Sequence, residues 1–316
     1  MNRIAYPSIC LSIALTACGG DGGVPVSDAN TELKATTIAL NATPSSMVAP
    51  AVNETPSSMV TSGVAGSVSI TPATANAMRS PAVHMPFGQD PTQYDVGFSE
   101  EFEAGLNRSV WNDHIWYEAA NSTKNYSVDN GSLKIWPERD ATGKFFNRTF
   151  DTDGHYSQKY GYFEIEAKLP KGKGIWPAFW LLNHQSSARP EIDIMKAFAG
   201  APGWGATGRD GVPYPTAYGV TVWTDAKKQA GDKRIATPDL SAGFHKFGFK
   251  WEPTKQTFYF DGKEVYSVNV SMSAPMYLLV DLWFGGASGT PDQRTPTGPN
   301  NAFEVKYVRT WKLKNV

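Results

Sequence analysis

Three features of the sequence predict an all-β domain, a sandwich of two sheets, behind a long lead that forms no domain of its own. Short runs rich in aromatic and β-branched residues recur between turn signals, and helical periodicity is nearly absent. All 10 tryptophans lie in the last two thirds of the 316 residues, beginning at Trp111. The chain beyond Gly88 is about 230 residues long, a length at which a single sandwich is common.

At the start, a single Arg3 precedes an apolar stretch from Ile4 to Ala17, and LTACGG follows. The Leu15–Cys18 box resembles a bacterial lipoprotein signal. This implies cleavage after residue 17, with Cys18 as the lipidated first residue of the mature chain. A plain secretory signal with a chance cysteine is the other reading, and both export the protein to face the periplasm or the cell surface. The apolar run is too short to span a bilayer as a helix, so the expected membrane contact is the lipid on Cys18 alone. Cys10 would leave with the signal, so no disulfide framework or cysteine metal site is expected.

Residues 18–88 are dominated by Ser, Thr, Pro, Ala, Val and Gly, and TPSSMV occurs at Thr43–Val48 and again at Thr55–Val60. A segment this poor in large apolar groups cannot offset its ordering entropy by burial, which predicts a disordered tether. The folded domain is then expected over 89–316. Its strand candidates in order are YSVDNGSLKIW, YFEIEAKL, AFWLL, AYGVTVW, HKFGFKW, QTFYFDGKEVYSV, MYLLVDLWF and FEVKYVRTWKL. Asp261-Gly262 between alternating aromatic runs predicts a tight hairpin. In YFEIEAKL, Phe163, Ile165, Ala167 and Leu169 alternate with Tyr162, Glu164, Glu166 and Lys168.

The stretch PEIDIMKA, Pro190–Ala197, carries the chemistry. On a strand Glu191 and Asp193 share one face, about 7 Å apart, while Ile192 and Ile194 take the other. The aliphatic pair suits a core, and the two acids suit a concave, wet face. Just upstream, GIWPAFWLL supplies two tryptophans. Aromatic rings beside paired carboxylates are what a carbohydrate cleft needs, because sugars present apolar C–H faces and hydroxyl edges.

From about Asp151 to Phe198 the chain resembles the bacterial family-16 glycoside hydrolases, the laminarinase, agarase and carrageenase group, whose signature is E-[ILV]-D-x-x-E. The resemblance implies a β-jelly roll of two curved antiparallel sheets with a cleft on the concave face, and retaining endo-hydrolysis or transglycosylation of β-linked polysaccharide. It makes Glu191 the nucleophile and Asp193 the residue that orients and tunes it. A family β-bulge would absorb Met195 and turn residue 196 into the cleft. There the family's second glutamate, the acid/base, is replaced by Lys196. An ammonium cannot repeat that residue's double role, and beside two acids it is expected to form an ion pair that lowers both carboxylate pKa values. Two outcomes stay open: a silent site, in a polysaccharide-binding relative or a substituted copy of an active enzyme, or an enzyme whose acid is impaired or sits elsewhere. Asp281 in YLLVDLWFGG is the candidate for that acid, although a sugar-hydroxyl ligand is the plainer role for it.

Trp176 matches a family position near the cleft and reads as a sugar platform. For Trp180 and Trp283 platform and core remain equal readings, and Trp223 is a candidate from a neighbouring strand. Trp204 sits in a long Gly/Pro-rich loop suited to substrate selection. The resemblance also implies a structural hydrogen bond for His245.

No cofactor is implied. The 5 histidines are scattered. Lys306 stands where many family members carry a calcium-binding aspartate, and a cation there argues against that site. The net charge of −1 comes from mixed signs with no basic stripe, which argues against nucleic acid as a partner. No G-x-S-x-G elbow or phosphate-loop spacing occurs. The expected partner is a polysaccharide, and the expected state is a monomer.

Overall fold

A computed structural model describes residues 84–316. The export signal, Cys18 and the tether as far as residue 83 lie outside the described residues. The sixteen strands are β1 (Tyr94–Glu100), β2 (Tyr126–Asp129), β3 (Ser132–Ile135), β4 (Arg148–Asp151), β5 (Gly161–Lys168), β6 (Ile175–Leu182), β7 (Glu191–Lys196), β8 (Gly205–Thr207), β9 (Pro213–Pro215), β10 (Ala217–Asp225), β11 (Lys228–Ala236), β12 (His245–Trp251), β13 (Lys255–Phe260), β14 (Lys263–Asn269), β15 (Tyr277–Phe284) and β16 (Phe303–Leu313).

Two antiparallel sheets pack face to face. The larger runs β14-β13-β12-β5-β16-β3-β2, with β1 also paired to β16; the smaller runs β11-β10-β7-β6-β15-β4. Alternation along each strand decides what lies between them. Phe163, Ile165 and Ala167 from the larger sheet meet Phe179, Leu181, Ile192, Ile194, Val220, Val222, Leu278 and Val280 from the smaller in one continuous core. The opposite faces of β6 and β15 hold a separate apolar group, Ala178, Trp180, Leu182, Tyr277 and Leu279, with Ile115 packed onto it from a loop. That outer face of the smaller sheet carries the candidate site.

The predicted hairpin joins β13 to β14, with Asp261 at φ 47° and Gly262 at φ 76°, the pair of left-handed residues that a type I′ turn requires. Asp261 also accepts from the backbone N–H of Lys246 and holds Nδ1 of His245 at 2.8 Å, the structural hydrogen bond expected of that histidine. Lys306 lies 3.0 Å from Glu166 in an ion pair.

Residues before Gln89 also contact the sandwich. His84–Gly88 form a strap over the outer face of the larger sheet. Trp311 Nε1 donates to the carbonyl of His84 at 2.8 Å, and the N–H of Phe87 donates to Glu164 at 3.3 Å. Glu164, which alternation alone would leave in water, is thereby 1% exposed and also accepts from the Tyr307 hydroxyl at 2.8 Å.

Candidate active site

Strand β7 lies in the middle of the smaller sheet, between β6 and β10, and its register slips once. Leu182, Leu181 and Trp180 pair with Glu191, Ile192 and Asp193 in turn, but the next two residues of β6, Phe179 and Ala178, pair with Met195 and Lys196. Ile194 is the extra residue, which corrects the expectation that the bulge absorbs Met195: Met195 keeps its pairing with Phe179. Both Ile194 and Met195 then point into the core, where they are 1% and 0% exposed. Two consecutive inward residues return Lys196 to the face shared by Glu191 and Asp193, which a regular strand would not do.

The three charges meet there. Lys196 Nζ lies 2.9 Å from Glu191 Oε1 and 2.7 Å from Asp193 Oδ1. Asp193 is 2% exposed, so the expected wet face is at this point closed over by its own neighbours. Burial alone would pull the lysine pKa down, but the charges of Asp193 and Glu191 outweigh it and hold the ammonium above its ordinary value. The expectation that the ion pair lowers the pKa of Asp193 is corrected: burial pushes it well up, with Glu191 adding to the rise, and the pull of Lys196 does not cancel them. One cation thus serves two carboxylates.

Aromatic rings surround the cluster. Lys196 Nζ sits 4.9 Å from the ring centre of Trp180 and 5.7 Å from that of Trp176. Trp176 packs edge-on to Trp283 at 5.5 Å and against Phe198 at 5.2 Å, and Phe198 meets Trp204 at 5.0 Å. Trp204 reaches over Gly219, which pairs with Lys196. A Cβ there would lie 2.9 Å from the indole, so the glycine is what admits the ring. Trp223 pairs with Glu191 on the other flank. Trp176, Trp204, Trp223 and Trp283 are all half-buried and keep ring surface free, and Trp283 Nε1 is fixed by Thr149 Oγ1 at 2.9 Å.

A family model described as glycosyl hydrolases family 16 matches residues 113–309 of this chain. The chain belongs to family 16 of the glycosyl hydrolases. It is 29% identical over 240 residues to the endo-1,3-1,4-beta-glycanase ExsH of Rhizobium meliloti, across 70% of this chain and 48% of that protein. With the glucan endo-1,3-beta-glucosidase of Cryptopygus antarcticus it shares 28% identity, across 66% of this chain and 85% of that one. The crystal structure of the endo-beta-1,3-glucanase from Pyrococcus furiosus matches with a TM-score of 0.56 at 26% identity, over 70% of this chain and 95% of that one. The two packed sheets are accordingly the family-16 jelly roll. The chain spans less than half the length of the first curated relatives it matches: 48%, 44% and 33%.

In this family-16 domain Asp281, expected to touch substrate, and Trp180, for which platform and core stood as equal readings, are both buried. Trp180 is 5% exposed and donates through Nε1 to Asp281, which is 1% exposed. Burial raises the Asp281 carboxyl well above the ordinary range, although Trp180 and Lys196 both pull it down. A group with no open surface cannot hold a sugar hydroxyl, so the role expected for Asp281 is corrected to that of a buried support for Trp180. Sequence reasoning missed Trp116 and Tyr117, and the available signal was WYE, two adjacent aromatics in a loop.

Proposed function

We propose that the outer face of the smaller sheet takes internal stretches of a β-linked glucan, and that it is a retaining endo-glycoside hydrolase site arrested at its acid/base position by Lys196. The observation that carries this reading is the double ion pair of Lys196, 2.9 Å to Glu191 and 2.7 Å to Asp193. The glucan is proposed because relatives are named endo-1,3-1,4-beta-glycanase and glucan endo-1,3-beta-glucosidase.

Retention runs through two displacements. Glu191 attacks the anomeric carbon, and the departing glycosidic oxygen must take a proton. Lys196 is the nearest proton carrier, but its pKa is raised rather than tuned toward neutrality, so it gives up that proton poorly. In the second step a base must take a proton from the water that cleaves the glycosyl ester, and an ammonium cannot. Its hold on Glu191 also diverts the nucleophile's lone pair. The same ion pair favours a second reading, a glycan-binding protein with no turnover. In either case the chain is proposed to be exported, held to a bacterial membrane by a lipid on Cys18, and monomeric, with no nucleic-acid partner.

The test restores the carboxylate. Lys196→Glu is expected to raise hydrolysis of unactivated β-1,3-glucan by about 10²- to 10⁴-fold, the usual yield of general acid–base catalysis. With the wild-type chain, an aryl β-glucoside bearing an acidic phenol needs no proton on departure, and azide needs no base. That pair should therefore give slow formation of β-glucosyl azide. Should Lys196→Glu leave polymer cleavage unchanged while Glu191→Gln abolishes it, another residue already supplies the proton and the arrest is refuted. If Lys196→Glu restores nothing while the wild type retards on β-glucan in affinity electrophoresis, the binding reading stands in its place.

A further inference from the structure

Outside the ring of tryptophans already described, one exposed aromatic pair borders the same face. Trp116 is 48% exposed and Tyr117 is 54% exposed, edge to face with each other at 5.1 Å. The loop bearing them is anchored at both ends. Ile115 is fully buried in the apolar group on the outer face of β6 and β15. Glu118 accepts from Asn147 Nδ2 at 2.9 Å, and Asn147 in turn accepts from the backbone N–H of Phe284 at the end of β15.

Trp116 is also backed. The His184 ring stacks on it at 4.7 Å with an interplanar angle of 21°, and Arg189 lies 5.9 Å from its centre. His184 is held by the Tyr277 hydroxyl at 3.1 Å and by Asp153 at 3.6 Å. An indole with one face covered keeps about half its surface, which agrees with the exposure seen. Its free face is rigid, and rigidity lowers the entropy lost on binding.

The position relative to the reactive cluster follows from the ladder. Tyr277 pairs with Leu182, and Leu182 pairs with Glu191. His184, two residues past Leu182, stacks on Trp116, and Tyr117 packs edge to face against Trp116. The pair thus stands beyond the Glu191 end of β7, while Phe198 and Trp204 stand beyond the Lys196 end. Met85, Phe87, Val96 and Val316, the other exposed large apolar residues described, belong to the strap, to β1 and to the C-terminus.

We propose that Trp116, backed by His184 and flanked by Tyr117, is a sugar-stacking subsite that holds a β-linked glucan where it leaves the cluster on the Glu191 side. A glucose ring offers this platform one flat C–H face, and the chain's own continuity brings that ring to it. The inference rests on the glucan reading above, since the same chain must occupy both places. It predicts a length threshold: oligomers that fill only the centre of the face do not reach Trp116, and longer ones do.

The test uses the full chain, isothermal titration calorimetry, and β-1,3-linked and mixed-linkage β-1,3-1,4 glucose oligomers from dimer to octamer. Wild type should gain affinity with length. Trp116→Ala should weaken the octamer by about tenfold, equivalent to about 1.4 kcal/mol, and leave the shortest bound oligomer unchanged. Trp116→Phe, which keeps an aromatic face, should lose less. A second readout needs no truncation: with 5-fluorotryptophan incorporated, the Trp116 resonance, assigned by its loss in Trp116→Phe, should shift with octamer and not with the shortest binder. If wild type and Trp116→Ala bind every length alike and that resonance stays still, the subsite is refuted while the glucan reading survives. If wild type binds no oligomer of either linkage, the glucan reading falls and the subsite falls with it.

Discussion

Single residues decide this site by the company they keep. Asp281 and Asp193 are both carboxyls that burial raises, and raised groups bind protons more tightly folded than unfolded. The stability that Asp281 supports is complete below the ordinary carboxylate pKa and is lost as pH climbs through the folded value. Asp281 can be tested without touching Lys196. Asn keeps an oxygen to accept from Trp180 and has nothing to titrate, so Asp281→Asn should flatten the fall in thermal midpoint between about pH 4 and pH 8. Calorimetric scans across that range check it, and an unchanged slope would mean that Asp281 is ionised in the fold. Asp193 is a poorer subject because its removal strands Lys196, a buried cation left with one partner instead of two.

At the scale of the element, β7 does its work through one irregularity. Without the extra residue at Ile194, Lys196 would face the core, where a lone ammonium is costly, and no cluster would form. Gly219 on the neighbouring strand is the complementary adjustment, leaving space for Trp204 beside Lys196. Gly219→Val should expel that indole and cost about 1–3 kcal/mol by overpacking. The expected signs are a lowered thermal midpoint and altered near-ultraviolet dichroism; unchanged spectra would show that the loop bends aside freely. These elements also mark how far the sequence could be read. Alternation in β5 and β7 gave their core faces correctly, because side-chain direction in a strand is a property of the backbone. The bulge was legible only through the family motif, since nothing in E-I-D-I-M-K distinguishes a regular strand from a slipped one. The burial of Asp281 and Trp180 was not legible, because it depends on which rings arrive from loops. Trp116 was passed over because its partner His184 lies far along the chain and is joined to it only by the fold.

For the molecule as a whole, the strap ties the start of the domain to the face opposite the site. His84–Gly88 cover Tyr162 and Glu164 on the larger sheet, so a chain beginning at Gln89 loses the bonds from Phe87 N–H to Glu164 and from Trp311 to the His84 carbonyl. At about 1 kcal/mol for each bond, with the uncovered ring surface added, the loss should be about 2–4 kcal/mol, or roughly 4–15 °C in thermal midpoint for a domain of this length. A chain beginning at His84 should match the full one. The deficit should also depend on pH in a way that identifies its source. Under the strap, burial raises the Glu164 carboxyl above its ordinary value of 4.5, so the strapped chain loses part of its stability as pH rises through the folded value. In the shortened chain Glu164 meets water, and that loss disappears. The gap between the two chains should therefore be widest near pH 4 and should narrow toward neutrality, as scanning calorimetry at several pH values would reveal. A gap that widens with pH would mean that Glu164 is ionised beneath the strap and holds Phe87 as a charged acceptor, and equal midpoints at every pH would mean that the strap adds nothing to the fold.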